Sequence, residues 1–108
     1  MNIKVTLLII VSSILIFGQS GSYPGVIIKN IETKQSVRIK VTLQLNSSAT
    51  VQLAIDNTDN NAHFAKESLA MMLYAKSNRQ KMNVYYDPGT YWDCSGLIRV
   101  LDLTDDVY

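Results

Sequence analysis

Three patterns of apolar and polar positions follow one another along the chain. Residues 5–17 are almost wholly apolar, with Lys4 just before them and the small or polar Gly18, Gln19, Ser20, Gly21 and Ser22 just after. From Val26 onward apolar and polar positions alternate, as in a strand with one buried face. Between His63 and Ser77 the apolar spacing changes to three and four residues, the period of a helix. After Lys81 the alternation returns.

This pattern places the elements. Residues 26–33 predict a first strand, with Val26, Ile27, Ile28 and Ile31 supplying β-branched bulk. Ser22, Tyr23, Pro24 and Gly25 before it suit a turn, and Lys34-Gln35 after it a tight polar connection. Val37, Ile39, Val41, Leu43 and Leu45 alternate with Arg38, Lys40, Thr42 and Gln44. That predicts a half-buried antiparallel strand with a wet outer face. Beyond the turn Asn46-Ser47-Ser48, Val51, Leu53 and Ile55 alternate with Gln52, Ala54 and Asp56 in a third strand. Residues 57–61 are a polar loop.

In the helix, Ala65, Leu69, Met72 and Leu73 form one stripe, widened by Phe64, Met71 and Tyr74, with Lys66 elsewhere. Asn61 suits the N-cap. Asn78 suits a left-handed residue that ends the helix. Residues 81–87 predict a fourth strand, Pro88-Gly89-Thr90 a turn, residues 91–96 a loop, and residues 97–103 a fifth strand. Residues 104–108 are expected to be a frayed acidic tail. Three strands, a helix and two strands are the layout of the OB-fold, a mainly β, five-stranded Greek-key barrel whose one helix plugs an end.

The first apolar run changes where this domain is expected to work. A charged start, an apolar stretch and a small-residue zone together form a secretory signal peptide. The stretch is shorter than the roughly 18–20 residues of a spanning helix, and no basic flank follows it. Residues 1–20 are therefore expected to be removed, with Ser22 as the other cleavage point and a retained N-terminal membrane anchor as the alternative, and residues 21–108 to form the domain. No membrane span would remain, and the product would be secreted or periplasmic.

Charge and cysteine content narrow the function further. The whole chain has ten Lys and Arg against nine Asp and Glu; losing Lys4 leaves nine against nine. Zero net charge gives no electrostatic funnel for nucleic acid, and little repulsion against self-association. The single cysteine, Cys94, excludes an internal disulfide. A buried reduced thiol and an intermolecular bridge both remain open. With one histidine, His63, and one cysteine, there is no ligand set for a structural zinc, and no cofactor is implied. No paired carboxylates, nucleophile-and-base pair or phosphate-binding glycine loop is present, so an enzyme is not expected. Binding is the remaining role. Tyr85, Tyr86, Tyr91 and Trp92 fall within eight residues, with Asp93, Ser95 and Arg99 as polar neighbours. Aromatic rings with polar tips serve sugars and protein partners alike. Tyr85, Tyr91, Trp92, Asp93 and Arg99 are the ligand-binding candidates.

Residues 67–87, with Asp93-Cys94 and Leu97-Ile98-Arg99-Val100, carry a resemblance. A leucine- and alanine-rich helix, a small turn, a basic lead into a strand and a cysteine-bearing loop before the last strand resemble small exported bacterial OB-fold proteins. These are similar to the B subunits of AB5 toxins of the subtilase cytotoxin and pertussis-like type. The resemblance implies a homo-oligomer that binds cell-surface glycans, with a toxin A subunit as a further partner. Two positions depart from that pattern: no second cysteine stands in the early strands, and Asn78 occupies a turn where the family favours glycine. The alternative is a monomeric periplasmic or secreted module that binds or inhibits another protein.

Overall fold

The computed structural model describes residues 21–34 and 37–108. Residues 1–20, where a leader is predicted, and Gln35-Ser36 lie outside the described residues. Five strands close into an OB-fold-like barrel in the order β1-β2-β3-β5-β4. The strands are β1 (Gly21–Lys34), β2 (Arg38–Asn46), β3 (Ala49–Asp56), β4 (Gln80–Tyr91) and β5 (Cys94–Val107). A 3-10 turn (Asp59–Asn61) leads into the helix α1 (Ala62–Ser77), between β3 and β4. Element order and fold class are those the sequence pattern predicts.

The alternating residues of β2 divide as their period requires. Ile39, Val41 and Leu43 are buried and meet Leu53 and Ile55 of β3 inside the barrel. Val26, Ile28, Met82, Val84 and Ile98 complete the wall, and Met72 enters from α1. Val37 and Leu45, at the ends of the same stripe, lie outside this fully buried set. No helix among the described residues is long and apolar enough to cross a membrane.

Several boundaries differ from the predicted ones, each for a physical reason. β1 begins at Gly21 because the Tyr23-Pro24-Gly25 segment is a bulge inside the strand. Gly25 takes a φ of +60°, and its N–H donates to Asn83 Oδ1 at 2.9 Å. That bulge lets β1 bend, so its first half pairs with β4 and its second with β2. Pro88, Gly89 and Thr90 do not turn the chain but extend β4, with β5 as the partner among the described residues. The β4–β5 ladder is irregular between Pro88 and Tyr91, and a proline is tolerated at such a bulge. The residues expected to fray instead pair with the start of β4: Val107 faces Gln80, and the Tyr108 N–H donates to the Arg79 carbonyl at 2.8 Å.

The helix is rotated from its predicted stripe. Ala65, Ser68, Met72 and Ala75 are buried, while Leu73 and Tyr74 face solvent. Asn61 stands at the N-cap position without a capping side-chain bond; its amide turns to Asp56 instead. The left-handed residue is Arg79 at φ +53°, one beyond Asn78. Asn78 remains in line because its side-chain amide donates to the Tyr74 carbonyl. Arg79 is held by its Nε donating to the Tyr108 carbonyl at 2.6 Å, with its guanidinium over the Tyr108 ring.

Candidate ligand-binding site

The β4–β5 hairpin turns through two residues, Trp92 and Asp93, between the paired Tyr91 and Cys94. Short hairpin loops need a positive φ at the first turn position to match strand twist, and glycine usually stands there. Here Trp92 takes it, at φ +58°. A bulky side chain in that region is strained and uncommon. The tip then reaches the outer face of β2. The Arg38 guanidinium lies over the Trp92 ring, 5.4 Å from its centroid, yet Trp92 is 43% exposed.

Asp93 fixes the tip electrostatically. Its Oδ1 accepts from Arg38 Nη1 at 3.0 Å, and its Oδ2 from Lys40 Nζ at 3.1 Å. The two cationic side chains are only 13% exposed, while Asp93 is 54% exposed. The hydrogen bond from Lys40, with the nearby charges of Lys40 and Arg38, holds the Asp93 carboxyl below the usual carboxylate range. Arg38 Nε is buried with no partner among the described residues. It lies in the same guanidinium that the Trp92 ring and Asp93 hold in place.

The five candidates separate into groups. Tyr91, Trp92 and Asp93 form the tip. The Tyr91 ring lies against Gly89, where an added Cβ would sit 3.3 Å from it and φ is +145°. Tyr85 is half-exposed on the outer face of β4, opposite Val100 of β5. Arg99 donates from Nε to Asp87 Oδ2 at 2.6 Å and lines a half-open cavity of about 260 Å³ with Asp56, Asn61, Phe64, Leu97 and Ile98. Sequence reasoning passed over Arg38 and Lys40, which look like a solvated strand face. Their signal is two long cations on alternate outward positions of one strand, and only the fold supplies the acid that bridges them.

Cys94 is buried, and its Sγ lies 3.7 Å from Asp93 Oδ1. Burial, then the Asp93 charge, pushes its pKa up, away from the thiolate form. His63 lies on the surface of α1, with Nε2 2.9 Å from Glu67 Oε1. Tyr86, the remaining aromatic of the cluster, faces inward and stacks on Tyr23 with ring centroids 4.8 Å apart. Its pKa is pushed up to about 12, first by hydrogen bonding to the Tyr23 side chain and then by burial.

No protein-family model matches this chain, and no curated protein matches it either.

Proposed function

We propose that this chain is an exported, non-catalytic binding protein, similar to a toxin B subunit, that takes a cell-surface glycan at the hairpin tip and works as a homo-oligomer. Trp92 carries this conclusion. Holding a non-glycine residue left-handed costs on the order of 1–3 kcal/mol, a strain that clusters at ligand sites. A glycine would make the same turn without it. What the tryptophan adds is an exposed indole, braced from one side by Arg38 and bordered by Lys40 and Asp93. An indole presents an apolar face to a pyranose ring, and the bordering charged groups can exchange hydrogen bonds with its hydroxyls.

Two further observations support binding over covalent chemistry and association over isolation. The Cys94 thiol is buried and biased toward its neutral form. Tyr85, Val100, Leu103 and Val107 leave large apolar side chains exposed on the β4–β5 pair. Such surface suits contact with another protein, a second copy or the A subunit that the resemblance implies.

A glycan array probed with the purified protein and with Trp92→Ala, together with mass by light scattering, tests this function. A multimeric species whose glycan signal vanishes in Trp92→Ala supports it; a monomer silent on the array overturns it. The second reading, a monomeric protein-interaction module, is favoured by β5 itself. Among the described residues its pairing with β3 is confined to Ala54 and Leu97, so the strand beyond offers an edge for β-augmentation.

A further inference from the structure

We propose that the cavity beside Arg99 is a second subsite of the same site, and that it takes one uncharged pyranose ring of the glycan whose next ring stacks on Trp92. This rests on the glycan-binding function proposed above and adds to it the location, size and charge of the terminal sugar.

Position comes first. Asp56 is the cross-strand partner of Arg38, so both side chains project from the outer face of the β2–β3 pair. The Trp92 ring covers that same Arg38. The cavity's Asp56 and the Arg38 beneath the indole are therefore cross-strand neighbours, which puts the cavity beside the tip.

Chemistry decides what enters the cavity. Phe64, Leu97 and Ile98 give it an apolar floor, and Asp56, Asn61 and Arg99 give it a polar rim. Asp56 is oriented before any ligand arrives. Its Oδ1 accepts the Thr58 N–H at 3.0 Å, and its Oδ2 accepts from Asn61 Nδ2 at 3.3 Å. Each carboxylate oxygen retains acceptor capacity toward the cavity. Arg99 is also fixed, since its Nε is bound to Asp87 while its terminal nitrogens remain donors. A rim that both donates and accepts, above an apolar floor, matches a ring whose hydroxyls do both and whose C–H face is apolar.

Charge and volume narrow the choice of ligand. Asp87 offsets Arg99, whereas no cation among the described residues lies within ion-pair distance of Asp56. Arg38 across the strand pair is matched by Asp93, so Asp56 is left as the uncompensated charge at the rim and disfavours a sugar carboxylate or phosphate. An amino acid would need Arg99 for its own carboxylate, in competition with Asp87 at 2.6 Å. The volume of about 260 Å³ lies below the roughly 300–1,000 Å³ of drug-sized pockets, which suits one sugar ring inside with the next ring outside.

Amide and indole NMR signals of the intact protein read the two subsites separately. The probes are the methyl glycosides of glucose, galactose, mannose and N-acetylglucosamine, the disaccharides maltose, lactose and chitobiose, and glucuronate and glycine as charged controls. At least one neutral glycoside should shift the amides of Asp56, Phe64 and Ile98 without moving the Trp92 indole. A disaccharide ending in that sugar should move both and bind about tenfold or more tightly. Trp92→Ala should erase that gain, while Asp56→Asn should weaken the glycoside itself by about tenfold. Shifts confined to the indole overturn the cavity subsite and leave the tip as the glycan site. Cavity shifts without a disaccharide gain overturn the continuity of the two. Equal or stronger response to glucuronate or glycine overturns the ligand class, and silence from every probe overturns both subsites.

Discussion

Replacing Trp92 separates backbone strain from ring function, because two substitutions remove the same ring and differ only in what the backbone tolerates. At φ +58° an alanine keeps the left-handed cost of about 1–2 kcal/mol, and a glycine does not. Glycine returns about 0.5–1 kcal/mol of that through the freedom it gains when unfolded. Trp92→Gly should therefore be more stable than Trp92→Ala, by about 0.8 kcal/mol at the centre of these ranges and at most about 1.5. Both variants lose the same contact with Arg38, worth about 0.5–1 kcal/mol at an exposed site, so it cancels in the comparison. For a domain of this size 1 kcal/mol corresponds to about 4–8 °C in Tm, so the gap is a few degrees.

Binding should not follow that order. Both variants lack the indole, so both should lose glycan affinity to the same extent, by about tenfold or more. Paired thermal melts and glycan titrations on the two variants make the measurement. A Trp92→Gly protein equal to or less stable than Trp92→Ala refutes the strain argument. Retained affinity in either variant refutes the indole as the ligand platform. A glycine variant that is more stable yet inert is the signature of strain kept for function.

The remaining predictions concern the groups around this tip and the core below it. The depressed Asp93 pKa means its stabilisation is present above the ordinary carboxylate value of about 3.9 and is lost as pH falls through the lower folded value; Asp93→Asn should flatten the Tm profile below about pH 4. Tyr86 behaves oppositely: its folded pKa of about 12 exceeds the usual value of about 10, so its contribution is full below pH 10 and is lost as pH rises through 12. Tyr23→Phe should therefore reduce the alkaline loss of stability, read by circular dichroism. Met72→Ala should cost about 2–5 kcal/mol in urea unfolding, whereas Leu73→Ala, on the exposed side of α1, should cost about 0.5 kcal/mol or less. Similar costs would refute the observed rotation of the helix.

The barrel was legible because its signal is periodic and repeated. Ile39, Val41 and Leu43 declare one face without reference to any other strand, and so do Met82 and Val84. What escaped depends on partners far along the chain. Pro88 and Gly89 are turn formers locally, but β5 pairs through Cys94 and carries β4 past them to Tyr91. Leu73 fits a helical stripe, yet the face that the barrel buries is the one carrying Ala65, Ser68, Met72 and Ala75. Asn78 gave way to Arg79 because Tyr108, 29 residues away, supplies the bond that holds the left-handed residue. At the site, the tip residues were visible as an aromatic cluster. Arg38 and Lys40 were not, since a cation on a solvated face and one bridged by a distant acid look the same in sequence.

A ligand at the proposed site would couple its binding to barrel closure. Among the described residues β3 and β5 share the pair Ala54 and Leu97, so backbone bonding on that side is thin. Close packing of small residues takes its place. Gly96 lies where an added Cβ would come within 3.1 Å of the Leu53 side chain of β3, and Ala54 is fully buried. Asp93 then ties the start of β5 across to β2 through Arg38 and Lys40. The residues that would hold a ligand are thus also the ones that fasten the seam. A ligand spanning Trp92 and the Asp56 cavity would bridge β2, β3 and β5 at the point where the ladder is thinnest. Its binding should then protect β5 amides beyond the contact itself from hydrogen exchange, because opening the seam requires releasing the ligand.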